Sequence, residues 1–417
     1  MTSPDERGPR TGPTGRTIVV LDEREGSAPD LLRGLGVPCV SARDVRRGGA
    51  ATGSVGTAGV GDASDEVPPG SAVVLDALGI AILADAPPVV AQAAADPSAR
   101  GVVTAEPEVW VHTFGTTPVP PPGTTFADTA LATWGLLATG VASDEGRGST
   151  TFDGAGVLVA VLDTGIDQNH PDLAGRVRLA RSFVTGEAVQ DGNGHGTHVA
   201  GTIGGPASPV GGQRRYGVAP GCDLLIGKVL GNAGSGTSGG VLEGMNWAIE
   251  QGAHVISMSL GSAVAEGEAP LQYYEAAARA ALRAGSLIVA AAGNEGDRPV
   301  GSPANCPSVL AVAAVDHRLL RADFSCIAIN GDGGELNVAA PGVGIYSAFP
   351  VEMDSYASLD GTSMATPHVS GLAALAVQAA GARGQALWDH LVAGARPLNE
   401  GESLVGRGLA VVPLVSA

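Results

Sequence analysis

The sequence predicts an α/β protein: a mainly parallel central sheet flanked by helices in three layers, preceded by a small α+β module. Three observations predict it. Near-continuous apolar runs recur after residue 150, each ending in a turn. Stretches rich in helix formers separate them. Ahead of both lies a shorter β-α-β-β-α-β pattern, closed by the stiff stretch TPVPPPG at 117–123.

In the first module, TIVVLD (17–22) reads as a strand and 28–35 as a short helix. Residues 47–70, rich in Gly, Ala and Ser, read as a loop. The apolar stretch 71–84, interrupted by Gly79, reads as one or two strands. A helix is expected over 87–96, where Pro opens it, and an extended segment over 101–111. The polar residues 1–16 are expected to form a disordered arm, and 115–130 a linker. The larger domain then spans 131–417. Its strands are expected at 156–165, 222–230, 253–261, 286–294 and 308–316. Uniformly apolar runs of this length suit parallel strands buried on both faces. Helices are expected at 239–251, at 269–284, where QYYEAAARAALRA carries good helix formers, and at 363–380. In such sheets a site lies beyond the carboxyl ends of the strands. Asp163 and Asn294 stand at two of those ends.

Composition narrows the function. The 417 residues are 44% hydrophobic, with 63 Gly and 28 Pro, as in a globular chain with many turns. A net charge of −18 argues against nucleic acid and against anionic membranes as partners. Four cysteines (Cys39, Cys222, Cys306, Cys326) with no C-x-x-C pair make neither a disulfide framework nor a zinc motif. They read as small buried hydrophobes.

Four segments carry chemistry: VLDTGID (161–167), GHGTHVAG (194–201), AAGNEG (291–296) and DGTSMATPHVSG (360–371). They supply an Asp, a His, an Asn and a Ser. A serine hydroxyl is a poor nucleophile until a histidine takes its proton. An aspartate fixes the histidine tautomer and stabilises the imidazolium. An asparagine amide can meet the oxyanion. Ser363 opens an apolar helix whose N-terminus favours negative charge. Pro367 is expected in the first turn, where a missing N–H is tolerated. Gly361 is expected to admit a substrate backbone. His195 and His198, three apart, lack the third ligand of a zinc site. Asp167, His170, Asp172, His198 and His368 read as turn and packing residues, and DGNG (191–194) as a turn without the distant Glu of a calcium loop.

In these segments and their order the chain resembles the subtilisin-like serine proteases, the subtilases. The matches run from Thr133-Trp134-Gly135 to about Gly371. The resemblance implies that Asp163 is the orienting acid, His195 the general base, Ser363 the nucleophile and Asn294 the oxyanion donor. It implies a serine endopeptidase acting on protein or peptide substrates through an acyl-enzyme. It further implies that Gly234, Ser235 and Gly236, with Ser259, Leu260 and Gly261, form two edges between which a peptide pairs as an added strand. Leu260, Ala291, Ala292, Gly293 and Gly301 would line the pocket for the residue before the cut. No charge sits among them, so large apolar residues are expected there. Ser238 and Val241 would border an open pocket three residues upstream.

The chemistry needs no cofactor. Subtilases often bind calcium in an Asn-bearing loop after the catalytic His. Here that loop is GGPASPVGGQRRYGV (204–218), with no Asn or Asp, and a second family position holds Asn337 where an Asp is common. These residues argue against tight calcium binding, and the metal question stays open at this point.

Residues 17–114 resemble the family's prodomain, an intramolecular inhibitor and chaperone, in element order and in AEPEVWVHTF (105–114). The expected autocleavage is at Phe114–Gly115. A monomer is expected. The first residues carry no apolar signal stretch, which points to the cytoplasm, with secretion as the alternative. Other readings of the same residues are a peptide maturase or cyclase, in which an amine replaces water, and a catalytically silent peptide-binding protein.

Overall fold

The computed structural model describes residues 11–48, 70–96, 101–114, 126–143, 150–331 and 333–412. The N-terminal module runs β1 (Pro13–Leu21), α1 (Ala28–Gly34), β2 (Cys39–Ser41), α2 (Ala42–Gly48), β3 (Ala72–Leu75), β4 (Ile80–Leu83), α3 (Pro88–Ala95) and β5 (Val102–Thr113). Its sheet has the order β5-β1-β4-β3-β2. All neighbours are antiparallel except β2 with β3. The order β1-α1-β3-β4-α3-β5 is the split βαβ arrangement, with β2 and α2 added. Of the loop expected at 47–70, residues 49–69 lie outside the described residues.

The sheet alternates with a period of two, and both of its faces are apolar. Val19, Leu21, Val74, Ala81 and Leu83 belong to the module's own core with Leu32 and Val90. Ile18, Val20, Val73, Leu75, Ile80 and Ile82 join the core of the larger domain instead. The module's sheet therefore has no free face: one side is covered by its own helices and the other is packed onto the larger domain.

The larger domain contains α4 (Trp134–Ala138), β6 (Leu158–Asp163), β7 (Val177–Ser182), α5 (His195–Gly204), β8 (Asp223–Lys228), β9 (Ser235–Thr237), α6 (Ser238–Glu250), β10 (Val255–Met258), β11 (Leu260–Gly261), α7 (Gln272–Arg283), β12 (Leu287–Ala291) and β13 (Leu310–Val315). It continues with β14 (Val338–Pro341), β15 (Ile345–Ala348), β16 (Tyr356–Leu359), α8 (Thr362–Ala380), α9 (Gly384–Ala393) and α10 (Glu402–Val405). The central sheet has the order β14-β13-β12-β10-β6-β8-β7, parallel throughout. Every residue of β10, β12 and β13 is buried, as expected of strands covered on both faces. Helices α5 and α8 pack on each other beside the sheet, while α6 and α7 form the layer that meets the N-terminal module.

Three boundaries differ from the sequence-based expectation. Strand β1 begins at Pro13, inside the arm expected to be disordered, because Pro13 pairs with Val109 and the Gly12 carbonyl accepts the Trp110 N–H at 3.3 Å. The linker ends early: Phe126 N–H donates to His317 O at 2.9 Å, and Asp128 accepts the Trp134 N–H at 2.8 Å. Pro367 is the sixth residue of α8, since the helix starts at Thr362. Gly361 caps that helix at φ 151°, ψ 158°, a backbone region open to glycine alone, so its role is conformational.

Candidate active site

The site is assembled where the sheet's carboxyl ends meet two helix N-termini. Asp163 ends β6, and His195 is the first residue of α5. Gly194, at φ 100°, caps α5 in a left-handed conformation, and the Phe349 ring lies where a Cβ would project. Asp191 organises this entry. Its Oδ1 accepts the Asn193 and Gly194 N–H groups at 3.0 and 2.9 Å and the Thr164 hydroxyl at 2.9 Å. Its Oδ2 accepts the Thr197 N–H and hydroxyl at 2.9 and 2.7 Å. The turn expected at 191–194 is thus also a helix cap.

His195 Nδ1–H donates to Asp163 Oδ1 at 2.8 Å, and both side chains are buried. Asp163 Oδ1 also accepts the Thr164 N–H at 2.7 Å. With Nδ1 committed, His195 Nε2 keeps its lone pair, and it is buried without a hydrogen-bond partner. Burial pushes the imidazolium pKa down. The Asp163 charge and hydrogen bond, aided by Asp191 and the Phe114 carbonyl, outweigh this and hold it above the usual range. Ser363 stands second in α8, and its hydroxyl donates to Ser259 O at 3.1 Å. Catalytic hydrogen bonds of this kind often tighten only in the reacting complex. Asn294 Oδ1 accepts the Thr362 N–H at 3.0 Å and hydroxyl at 2.8 Å. The amide is thereby fixed, and its Nδ2 is buried without a partner. The pocket therefore offers an unused base nitrogen and an unused amide donor around one serine.

The two edges expected to pair with a peptide are occupied by the chain itself. The end of β5 lies between β9 and β11, antiparallel to both: Val111 faces Gly236, His112 faces Ser235 and Gly261, and Thr113 faces Leu260. Thr113 N–H donates to Gly234 O at 3.1 Å. Phe114 is 7% exposed, and its ring comes within 2.8 Å of where a Cβ on Gly261 would be. Ala291 and Ala292 are buried nearby in sequence, and Gly301 N–H donates to Ala292 O at 2.8 Å. Ser238 and Val241 are buried, and the Ser238 hydroxyl accepts the Val109 N–H at 3.0 Å. Gly115 lies outside the described residues. Beside Gly293, the exposed Glu295 carboxylate comes within 2.6 Å of a Cβ position on that glycine, and the Cys326 thiol donates to it at 3.1 Å.

Upstream, two carboxylates of β5 seat the module on helix N-termini of the larger domain. Glu106 accepts the Gln272 N–H at the start of α7 at 2.9 Å. Glu108, fully buried, accepts the Gly239 N–H of α6 at 2.9 Å and pairs with Arg16 at 2.6 Å. Anionic caps at helix N-termini are favourable.

The histidines and acids read from the sequence as turn and packing residues bond to backbone groups. His198 donates to Ile345 O and His368 to Met364 O, each at 2.8 Å. Burial lowers these two pKa values to about 3 and about 4. Asp167 and His170 serve backbone groups of 169, 351 and 355. All four cysteines are free.

The polar groups beside the loop 204–218 are already engaged. Its neighbouring carboxylate, Asp172, is buried and already accepts the Val210 N–H at 2.7 Å, the Tyr216 hydroxyl at 2.6 Å and the Tyr356 hydroxyl at 2.9 Å. Asn337 Oδ1 accepts the Ala311 N–H at 2.7 Å. These donors do not fit a calcium site. Among the described residues, no group of three or more His, Cys, Asp or Glu side chains is placed to hold a metal, and no helix is long and apolar enough to cross a membrane.

Comparison with known proteins agrees with this geometry. The subtilase family model matches residues 154–395. The chain is 47% identical over 246 residues to alkaline elastase YaB of Bacillus sp. (strain YaB), a match covering 59% of this chain and 60% of that protein. It is 45% identical over 246 residues to subtilisin Savinase of Lederbergia lenta, covering 59% and 84%. It is 45% identical over 229 residues to subtilisin DY of Bacillus licheniformis, covering 54% and 77%. The match thus spans three fifths of the alkaline elastase and most of the two subtilisins. The chain belongs to the subtilase family.

Proposed function

We propose that the chain is a serine endopeptidase made as a self-inhibited zymogen, with residues 17–114 as its prodomain. The observation that carries this reading is the course of β5, which runs as an added strand between β9 and β11 and ends at Phe114, whose carbonyl lies beside His195. In that position the chain is its own substrate analogue.

The steps follow from the atoms. The Ser363 hydroxyl turns from Ser259 O toward His195 Nε2 and attacks the scissile carbonyl carbon. Its proton passes to Nε2, and Asp163 stabilises the resulting imidazolium. The carbonyl oxygen becomes an oxyanion, which the free Asn294 Nδ2–H and the N-terminus of α8 stabilise. When the C–N bond breaks, the imidazolium gives its proton to the leaving amine. Water then attacks the ester carbonyl while His195 takes its proton; the imidazolium returns that proton to the Ser363 oxygen as the C–O bond breaks, releasing the acid product and the free serine. The buried Phe114 supports a preference for large apolar residues before the cut.

The Asp172 knot supports a loop 204–218 that holds together without calcium. Of the two compartments, the secreted one is the better supported, since relatives named as alkaline proteases suit an alkaline medium outside the cell. Intact mass after expression and incubation tests the reading. The wild type is expected to lose about 115 residues, and Ser363→Ala to stay whole, with turnover lowered by about a million-fold, the figure known for the relative subtilisin. Retention of the full mass by both proteins, together with no labelling by a serine-reactive probe, would turn the reading toward a silent peptide-binding protein.

A further inference from the structure

Lys228 is the chain's single lysine, and its side chain is fully buried. It ends β8 in register with Asp163 on β6. Its ammonium donates to Thr164 O at 2.6 Å and to Asn232 Oδ1 at 2.8 Å, and lies 3.2 Å from the Glu187 carboxylate. Each of these partners leads to the site. Thr164 follows Asp163, its hydroxyl donates to Asp191, and it accepts the Gly196 N–H at 2.8 Å. Asn232 Oδ1 also accepts the Gly192 N–H at 3.0 Å, and its carbonyl accepts Asn193 Nδ2–H at 3.1 Å. One ammonium therefore joins the turn after the acid to the loop that opens the helix of the base.

Burying an ammonium costs several kcal/mol unless it is fully partnered. Filling space alone would be done at lower cost by methionine. We propose that Lys228 is a positioning residue for the Asp163–His195 pair: it fixes the two segments that carry them and offsets the charge of the buried Asp163 and Asp191. The inference rests on the peptidase reading. The charged and titratable groups facing His195 are Asp163 from β6, Asp191 from the loop ahead of α5 and His198 within α5. Burial keeps His198 neutral near pH 7. Glu187 faces Lys228 from the other side and is partly exposed.

The test uses the full chain in the Ser363→Ala background, where hydrolysis plays no part. NMR titration of the His195 imidazole is compared with Lys228 present and with Lys228→Met. The expected result is a titration moved to higher pH by about half a unit or more, because a nearby cation has been removed. A purely structural lysine would lower the melting temperature and leave the titration where it was, and that result overturns the charge role. Asn232→Ala, with Ser363 intact, keeps the charge and cuts the tie to Gly192. It is expected to lower kcat about tenfold with KM little changed, as a misplaced base does. An unchanged kcat in a folded Asn232→Ala protein overturns the positioning role, and this variant decides the matter if Lys228→Met does not fold. Hydrolysis by the wild type is a separate readout: its absence would count against the peptidase reading, while the His195 titration would still judge Lys228.

Discussion

Ser259 and Ser363 exchange hydrogen bonds in both directions: the Ser259 hydroxyl donates to Ser363 O at 2.8 Å, and the Ser363 hydroxyl donates to Ser259 O at 3.1 Å. The first bond has a cause inside α8. In a regular helix the Ser363 carbonyl would accept the N–H of residue 367, four residues on. That residue is Pro367, which has none. Ser259 supplies the missing donor from the substrate edge.

Ser259→Ala should therefore leave a buried carbonyl without a partner. The expected loss is about 1–3 kcal/mol of stability, measured by denaturant unfolding in the Ser363→Ala background to avoid self-digestion. Stability equal to the parent would mean that water or a shifted helix turn replaces the hydroxyl. Ser259 had been read only as part of a peptide-binding edge. Its second role depends on Pro367 lying in the sixth position of the helix, and the sequence-based boundary put that proline in the first turn.

Glu108 is the most deeply buried charge on the module's side of the interface. It accepts from Arg16 Nη2 at 2.6 Å, from Arg16 Nε at 2.7 Å, from the Thr14 hydroxyl and from the Gly239 N–H. Arg16 reaches across to Thr237 Oγ1 at 3.1 Å. Glu108→Ala removes at once the buried carboxylate that meets the Arg16 guanidinium and the acceptor of one N–H of α6. Breaking such a pair costs about 3 kcal/mol, which is on the order of a hundredfold in affinity. In a trans-inhibition assay the cut wild-type module should hold the processed enzyme that much more tightly than the variant does. Equal inhibition by the two modules would mean that β5 pairing alone holds the module in place.

The larger sheet was legible because β6, β8, β10, β12 and β13 are nearly continuous apolar runs, with charges only at the ends of β6 and β8, a pattern that solvent-facing strands do not give. The four chemical residues were legible because each sits in a compact motif. The strand β7, with the sequence VRLARS, was missed because it lies at the edge and carries two arginines. The short strands β15 and β16 were missed because four residues hold too little pattern. Asp191 and Lys228 escaped for a different reason. Their roles come from partners 27 and 64 residues distant, Thr164 Oγ1 and Thr164 O, and no local spacing encodes those bonds. Glu295 was in plain sight beside Asn294, but its direction toward Gly293 depends on a backbone turn at φ 108° that the sequence alone does not display.

The loop after the helix of His195 offers a test of metal dependence. Asp172 draws Val210 and Tyr216 from the loop and Tyr356 from β16 to one carboxylate, and Tyr356 stacks on Tyr346 with ring centroids 5.6 Å apart. The melting temperature of the Ser363→Ala protein should be the same in calcium and in a chelator. Tyr216→Phe should lose about 1.5–3 kcal/mol, the usual size for one hydrogen bond to a carboxylate, with no recovery on adding calcium. A chelator that lowers the wild-type melting temperature would show that the carboxylate also serves a cation.

Acid should weaken the fold through two histidines that take no part in the chemistry. His198 and His368 are buried, and burial lowers their pKa values to about 3 and about 4. Each neutral ring donates its N–H to one carbonyl, Ile345 O or Met364 O, so folding keeps them uncharged. In the unfolded chain both titrate near the ordinary value of about 6.5. Between about pH 6.5 and 4 the unfolded chain thus binds up to two protons that the folded one refuses. The stability these rings contribute is fully present above about pH 6.5 and is lost as pH falls toward their folded values, with a slope of up to about 2.7 kcal/mol per pH unit for two protons. His195 has the opposite sign. Its folded value is raised, so its contribution is present below its unfolded value and fades as pH rises through the folded one, outside this acid window. Denaturant unfolding of the Ser363→Ala protein should show stability falling by about 2–4 kcal/mol from pH 6.5 to 5. A flat profile over that interval would mean that one or both rings reach solvent and accept a proton without unfolding.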